Sequence, residues 1–368
     1  MQTVKQGRSL YLDAARVMAI ISISLNHAVN RSYDNYNNQM GEFFRIAFAS
    51  TLFKTVITVF SRIGVPIFLM ITGALILNKK METKEDVCRF YKHNLLSMFI
   101  TAEIWYFLIY WLMTLSELGK TVGIGQALLG MIKTMCFIDQ TTFSSMWYMP
   151  MILCLYATLP ILIFAKDKLA IGGKCLLIPA IIVFTNSMVI PAVSNFIVLL
   201  GGEPLVSAVL ESYLFSFFYL YVLAGYYINK GILAKWRTWV VGVLALGTFL
   251  LCCGFQLFAY AQPANYLVAH DFPVMLFCAI FTFEYIKRTA HLCAKVEKPI
   301  SYISRISFAI YFLHIVIMTI LTKIITMSGW YYWCKLLFLE GISMLGSILI
   351  IMVLSQMKPI RKYLFLIK

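Results

Sequence analysis

The sequence predicts an all-α, polytopic integral membrane protein of about ten transmembrane helices, and three observations carry that prediction. The first is composition. Of 368 residues, 61% are hydrophobic and 13% are charged, with a mean hydropathy of +0.82. Soluble domains sit nearer about 45–50% apolar and about 25% charged, and they need a polar skin that this chain cannot supply. The second is run length. Apolar stretches of roughly 20 residues recur, which is the length that crosses a hydrocarbon core. A transmembrane β-barrel would instead alternate over about ten residues, and intrinsic disorder needs low hydrophobicity. The third is the placement of lysine and arginine, which follows from the order of the spans.

Ten candidate spans cover residues 10–30, 47–77, 93–116, 144–165, 175–200, 211–228, 236–258, 267–286, 303–327 and 330–356. The first follows Lys5 and Arg8 without a small-residue cleavage site, so it reads as a retained helix and not a signal peptide. The second is too long for one straight crossing and contains Gly64 and Pro66, which loosen a helix and free backbone groups. Such breaks are tolerated at membrane depth where they line a cavity. The third carries Glu103. A mixed segment, residues 117–143, follows it and suits the interface. The ninth and tenth spans are joined by a short turn, so His314 and Glu340 fall at comparable depth. Nothing is left over for a soluble domain, and no solenoid repeat is present. Residues 1–368 read as a single transmembrane domain.

With ten spans and a cytoplasmic N-terminus, 22 of the 31 lysines and arginines fall in cytoplasmic segments and six on the opposite side. Arg16, Lys54 and Arg62 remain inside spans. This asymmetry matches the positive-inside rule with both termini cytoplasmic. The net charge of +15 therefore reflects basic loops facing an anionic leaflet, and no nucleic-acid-binding pattern accompanies it. The nine cysteines form no CxxC pair and read as small hydrophobes. No histidine or carboxylate spacing suggests a metal site.

Ionisable groups within the bilayer are costly and mark functional sites. The first span carries Asp13, Arg16 and His27, with Asn26 beside the histidine. Asp13 and Arg16 are three residues apart and share a face. Arg16 and His27 are eleven apart, about three turns and roughly 16 Å along the axis, and share it too. Arg16 falls near the cytoplasmic mouth and His27 in the outer half. The bland reading is a local Asp13–Arg16 pair, a snorkelling arginine and an interfacial histidine. Arg62, Glu103, Glu284, His314 and Glu340 are the other intramembrane candidates. For His314 and Glu340, a helix-packing hydrogen bond of about 0.6 kcal/mol stands against a pocket shared with His27. His93, His270 and His291 fall near loops and receive no role.

Five segments resemble one family in its own order. Residues 12–28 (LDAARVMAIISISLNHA) are similar to the first-helix signature of the acyltransferase 3 family, in which a basic residue precedes a histidine by ten intervening positions. Residues 61–77 (SRIGVPIFLMITGALIL) resemble its second signature, with Leu69 in place of an aromatic residue and Thr72 where serine is commoner. Residues 147–160 (WYMPMILCLYATLP), 223–227 (LAGYY) and 307–314 (SFAIYFLH) resemble three further elements. The chain looks most like small stand-alone sugar O-acetyltransferases of the enterobacterial common antigen type, without the extracytoplasmic hydrolase-like domain of some relatives.

The resemblance implies transfer of an acyl group, usually acetyl from acetyl-CoA, to a hydroxyl of a cell-surface glycan or lipid-linked sugar at the bacterial inner membrane. Partners are then acyl-CoA, the acceptor and lipid, with no metal and no nucleic acid. On that reading Arg16 and Arg62 hold coenzyme A phosphates. His27 is the general base or an acylated nucleophile. Asp13, His314 and Glu340 assist catalysis, and Tyr311, Trp147 and Tyr148 contact substrate. Broken helices and buried charges also suit a transporter or flippase, and a non-catalytic partner in glycan assembly is a third reading.

Overall fold

The computed structural model describes residues 9–33, 47–114, 123–136, 146–168, 177–202, 216–262 and 267–367. Every regular element among them is helical: α1 (Leu10–Ser32), α2 (Phe48–Arg62), α3 (Gly64–Ile76), α4 (Lys84–Phe90), α5 (Leu96–Thr114), α6 (Ile124–Met135), α7 (Tyr148–Lys168), α8 (Leu177–Phe184), α9 (Ile190–Leu199), α10 (Phe218–Asn229), α11 (Thr238–Tyr260), α12 (Pro273–Thr289), α13 (Glu297–Ile324) and α14 (Tyr332–Leu354).

Eight continuous stretches are long and apolar enough to cross a membrane. Two further features bear on the expected count of about ten. The stretch Pro273–Ile324 has 52 residues, twice a crossing, and divides at the 3-10 turn Ala290–Val296 into α12 and α13. Helix α10 coincides with the sixth expected span but has only 12 described residues. The third span begins earlier than expected, at Lys84 and not at residue 93. Thr83 caps α4 in a reciprocal box with Asp86, the Thr-x-x-Asp pattern that marks a helix start. A π turn at Tyr91–Leu95 then joins α4 to α5. The mixed segment after α5 contains α6, whose Ile124, Leu128, Leu129 and Ile132 lie exposed. Most of the polar segment between α1 and α2, residues 34–46, lies outside the described residues.

Helix α1 is the hub, packing against α2, α3, α12, α13 and α14. Burial sorts the spans accordingly. The α2–α3 stretch is 78% buried and α1 is 61% buried, against 22% for α11 and 12% for the α8–α9 stretch. The peripheral helices turn large apolar side chains outward, as Trp239, Val243, Leu246 and Leu250 do on α11. Lipid tails are the solvent for that surface.

Close approach of α3 and α10 depends on two glycines. A Cβ at Gly73 would lie 1.8 Å from the Val222 carbonyl oxygen, and one at Gly225 would lie 2.0 Å from that of Met70. Small residues at helix contacts serve this purpose in membranes, where backbones must come close to gain dispersion energy. Gly64 does the same against α1, with the Ala19 carbonyl 2.7 Å from its would-be Cβ. The break between α2 and α3 is thus pressed onto the hub.

Candidate functional site

The site is organised along α1, beginning at the end that carries the described chain termini. Asp13 is buried there and accepts hydrogen bonds from Ser304 Oγ at 2.7 Å and Ser301 Oγ at 3.1 Å, both on α13. Its Oδ1 also lies 3.3 Å from Nη1 of Arg16, one turn on. The guanidinium is therefore held on the face of α1 that turns toward α13. It keeps 25% side-chain exposure against 3% for Asp13, so the charge is anchored but reachable. Asp13 stands about 21 Å from the level of His27 along the same helix. Its observed contacts are with Arg16 and the two serines of α13.

Arg16 lines two adjoining spaces. One is an opening of about 980 Å³ at the terminal face, bounded by Ser9, Asp13, Asn78 and Lys79. The other is an inner cavity of about 210 Å³ walled by Ile23, Phe68, Thr72, Tyr148 and Tyr311. A third space of about 710 Å³ opens at the same face and shares Met98, Tyr156 and Phe308 with the inner cavity. Tyr156 borders all three. Tyr148, Ile152 and Tyr156 recur every four residues on α7, so they present one stripe to this passage. Tyr156 belongs to the 147–160 segment, where its sequence position alone gives it no role.

The passage rises to Tyr311 and Ile23. His27 is one turn above Ile23 on α1, and its ring faces His314 of α13 with centroids 5.4 Å apart. Tyr311 bridges the levels, 5.7 Å from Tyr148 and 6.2 Å from His314 between centroids. His314 donates from Nδ1 to the Ile310 carbonyl at 2.8 Å, which leaves Nε2 as the acceptor. That Nε2 is buried and makes no hydrogen bond among the described residues, nor does Tyr311 Oη. Arg31 and Arg62 both act on His27 through space. Glu340 of α14 is tied to α1 through Ser24, whose Oγ donates to Oε2 at 2.7 Å, while Oε1 is buried without a described partner. Glu340 thus reaches α1 one turn below His27 and, among the described residues, hydrogen-bonds to neither imidazole.

Arg62 ends α2, and Ser22 and Asn26 of α1 reach the residues beside it. Ser22 lies six residues beyond Arg16 on α1, about 9 Å along the axis. The break itself explains the surroundings. Pro66 has no N–H to give the Arg62 carbonyl four residues back. His270 fills the gap, with Nδ1 3.0 Å from that carbonyl oxygen. Ser22 Oγ lies within hydrogen-bonding distance of the neighbouring carbonyls of Phe60 and Ser61, at 2.8 and 3.0 Å. A carbonyl oxygen can only accept, so the His270 Nδ1–H is the donor there. Trp147 stacks on His270 at 5.6 Å and on Phe218 at 5.7 Å. It braces the break and does not line the inner cavity, unlike Tyr148. Glu284 pairs with Arg288 at 2.6 Å, away from the passage. No metal-ligating group of three or more His, Cys, Asp or Glu occurs among the described residues.

Apolar helices of spanning length around a buried cluster of polar side chains define the class, a polytopic membrane protein. The acyltransferase domain model matches residues 9–354, nearly the whole chain, and the protein belongs to the acyltransferase 3 family. No curated protein and no solved structure matches the chain.

Proposed function

We propose that the protein transfers an acetyl group from acetyl-CoA to a hydroxyl of a cell-surface glycan or lipid-linked sugar, with His27 as general base. The carrying observation is the pair of adjoining cavities that share the anchored Arg16, the inner of which is walled by Ile23, one turn from His27. A thioester donor has this layout: phosphates at one end and an uncharged arm leading to the reactive carbonyl. Arg16 engages phosphate through charge-assisted hydrogen bonds, and the arm runs between Tyr148 and Tyr311 toward His27. The passage opens to the cytoplasm, where both termini lie, and the protein resides in the bacterial inner membrane. The likeness to stand-alone O-acetyltransferases of the enterobacterial common antigen type supports a sugar acceptor.

In the reaction, His27 takes the proton of the acceptor hydroxyl as its oxygen attacks the thioester carbonyl. The tetrahedral oxyanion collapses and expels the coenzyme A thiolate, which receives the proton from the imidazolium. Positive charge from Arg31 and Arg62 favours the oxyanion while it lasts. His314 supports the His27 ring from α13.

The test is transfer of labelled acetyl from acetyl-CoA to a membrane glycan extract by the purified full-length protein, compared with His27→Ala. Label in the glycan that disappears in the variant is the expected result. Undiminished transfer by folded His27→Ala protein would remove the base assignment. Solute uptake without any acyl transfer would replace the enzyme reading with a transporter.

A further inference from the structure

The chain continues past the family match, which ends at residue 354, and folds back onto the bundle. After α14, residues Ile360–Leu364 form a π turn against α5. Two side chains of α5 pin its backbone: Thr101 Oγ1 donates to the Tyr363 carbonyl at 2.7 Å, and Trp105 Nε1 donates to the Leu364 carbonyl at 2.9 Å. Phe365 is fully buried. The strap is therefore a built element and not a loose tail.

Its basic side chains line the 710 Å³ opening. Lys358, Arg361 and Lys362 share this rim with His93, Asn94 and Ser97. Lys358 stands three residues before Arg361 and four before Lys362, so it neighbours each of them along the chain. No carboxylate lines the opening, and none of the three forms an ion pair among the described residues. The three cations edge a concavity that shares Met98, Tyr156 and Phe308 with the 210 Å³ inner cavity. A wide cationic vestibule leading to a narrow, mostly apolar bore complements a molecule with a bulky polyanionic head and a thin neutral arm.

We propose that the C-terminal strap binds phosphate, and that this phosphate is the ribose 3′-phosphate at the nucleotide end of the acyl-CoA donor. The proposal rests on the donor reading above. Arg16, deeper in the adjoining opening, is left for the diphosphate from which the pantetheine arm departs. The alternative source of the same chemistry is the headgroup of an anionic lipid.

The experiment compares coenzyme A with 3′-dephospho-coenzyme A binding to the full-length protein in nanodiscs of phosphatidylcholine, then of phosphatidylglycerol. Wild type is set against the double variant Arg361→Ala, Lys362→Ala and the charge-retaining Arg361→Lys, Lys362→Arg. The expected result is that wild type prefers coenzyme A by about tenfold, the scale of one charge-assisted contact. The alanine pair loses that preference, the charge-retaining pair keeps it, and lipid charge leaves it unaltered. An alanine pair that discriminates as wild type does would overturn the proposal. So would a strap whose substitution alters only the response to phosphatidylglycerol, which assigns it to a headgroup. Loss of coenzyme A binding in Arg16→Ala with an unaffected strap variant would leave the donor reading standing and refute the strap. No binding of coenzyme A by wild type would refute both.

Discussion

The two ends of α1 carry polar groups in opposite states. At the lower end, Asp13 accepts from two serines and pairs with Arg16, so its buried carboxylate is well provided with donors. At the upper end, His27 meets His314 ring to ring, and Nε2 of His314, Oη of Tyr311 and Oε1 of Glu340 are buried without hydrogen bonds among the described residues. A buried polar atom left unpaired costs about 1–3 kcal/mol. The lower end is therefore stable in itself and suited to presenting one charge. The upper end carries polar capacity unmet among the described residues. On the proposed function, this difference assigns holding to the lower end and reaction to the upper.

Substitutions at the two ends should differ in kind. His27→Ala is expected to have the largest effect, a drop in acetyl turnover of at least about 100-fold, at the low end for a positioned base, read by labelled transfer at saturating donor. Arg16→Ala should act on binding instead. Its acetyl-CoA dissociation constant should rise by about tenfold or more, worth about 1.4 kcal/mol, with turnover at saturation little changed. Equal loss of both parameters in either variant would break the distinction. Asp13→Asn keeps the shape and removes the anchor's charge, so it should weaken donor binding less than loss of Arg16 does, by about threefold, near 0.6 kcal/mol. Ser24→Ala is the mildest. It removes the donor to Glu340 without touching the imidazoles, and transfer within about twofold of wild type, on the order of 0.4 kcal/mol, would keep Glu340 out of the reaction.

Much of this was legible in the chain. The polar residues of α1 share a face by spacing alone, and the long second span with Gly64 and Pro66 foretold a broken helix. Other features lay beyond local pattern. His270 looked like a loop residue, because the signal for its role is the missing N–H of Pro66, while the histidine that answers it is 204 positions further along the chain. Arg16 and Arg62 both fall inside spans by sequence, but their relative depth depends on how α2 abuts α1, which Ser22 and Gly64 decide in three dimensions. Trp147 and Tyr148 are neighbours in sequence, yet a helix turns adjacent side chains about 100° apart, and only the second reaches the cavity. The basic strap counted merely toward loop charge, since nothing local reveals that Thr101 and Trp105 capture its carbonyls.

The most direct test of the division along α1 is acetyl-CoA binding by the His27→Ala protein, measured beside its transfer activity. The account predicts a dissociation constant equal to that of wild type together with lost transfer. A variant that still acetylates the acceptor, or that no longer binds the donor, would contradict it.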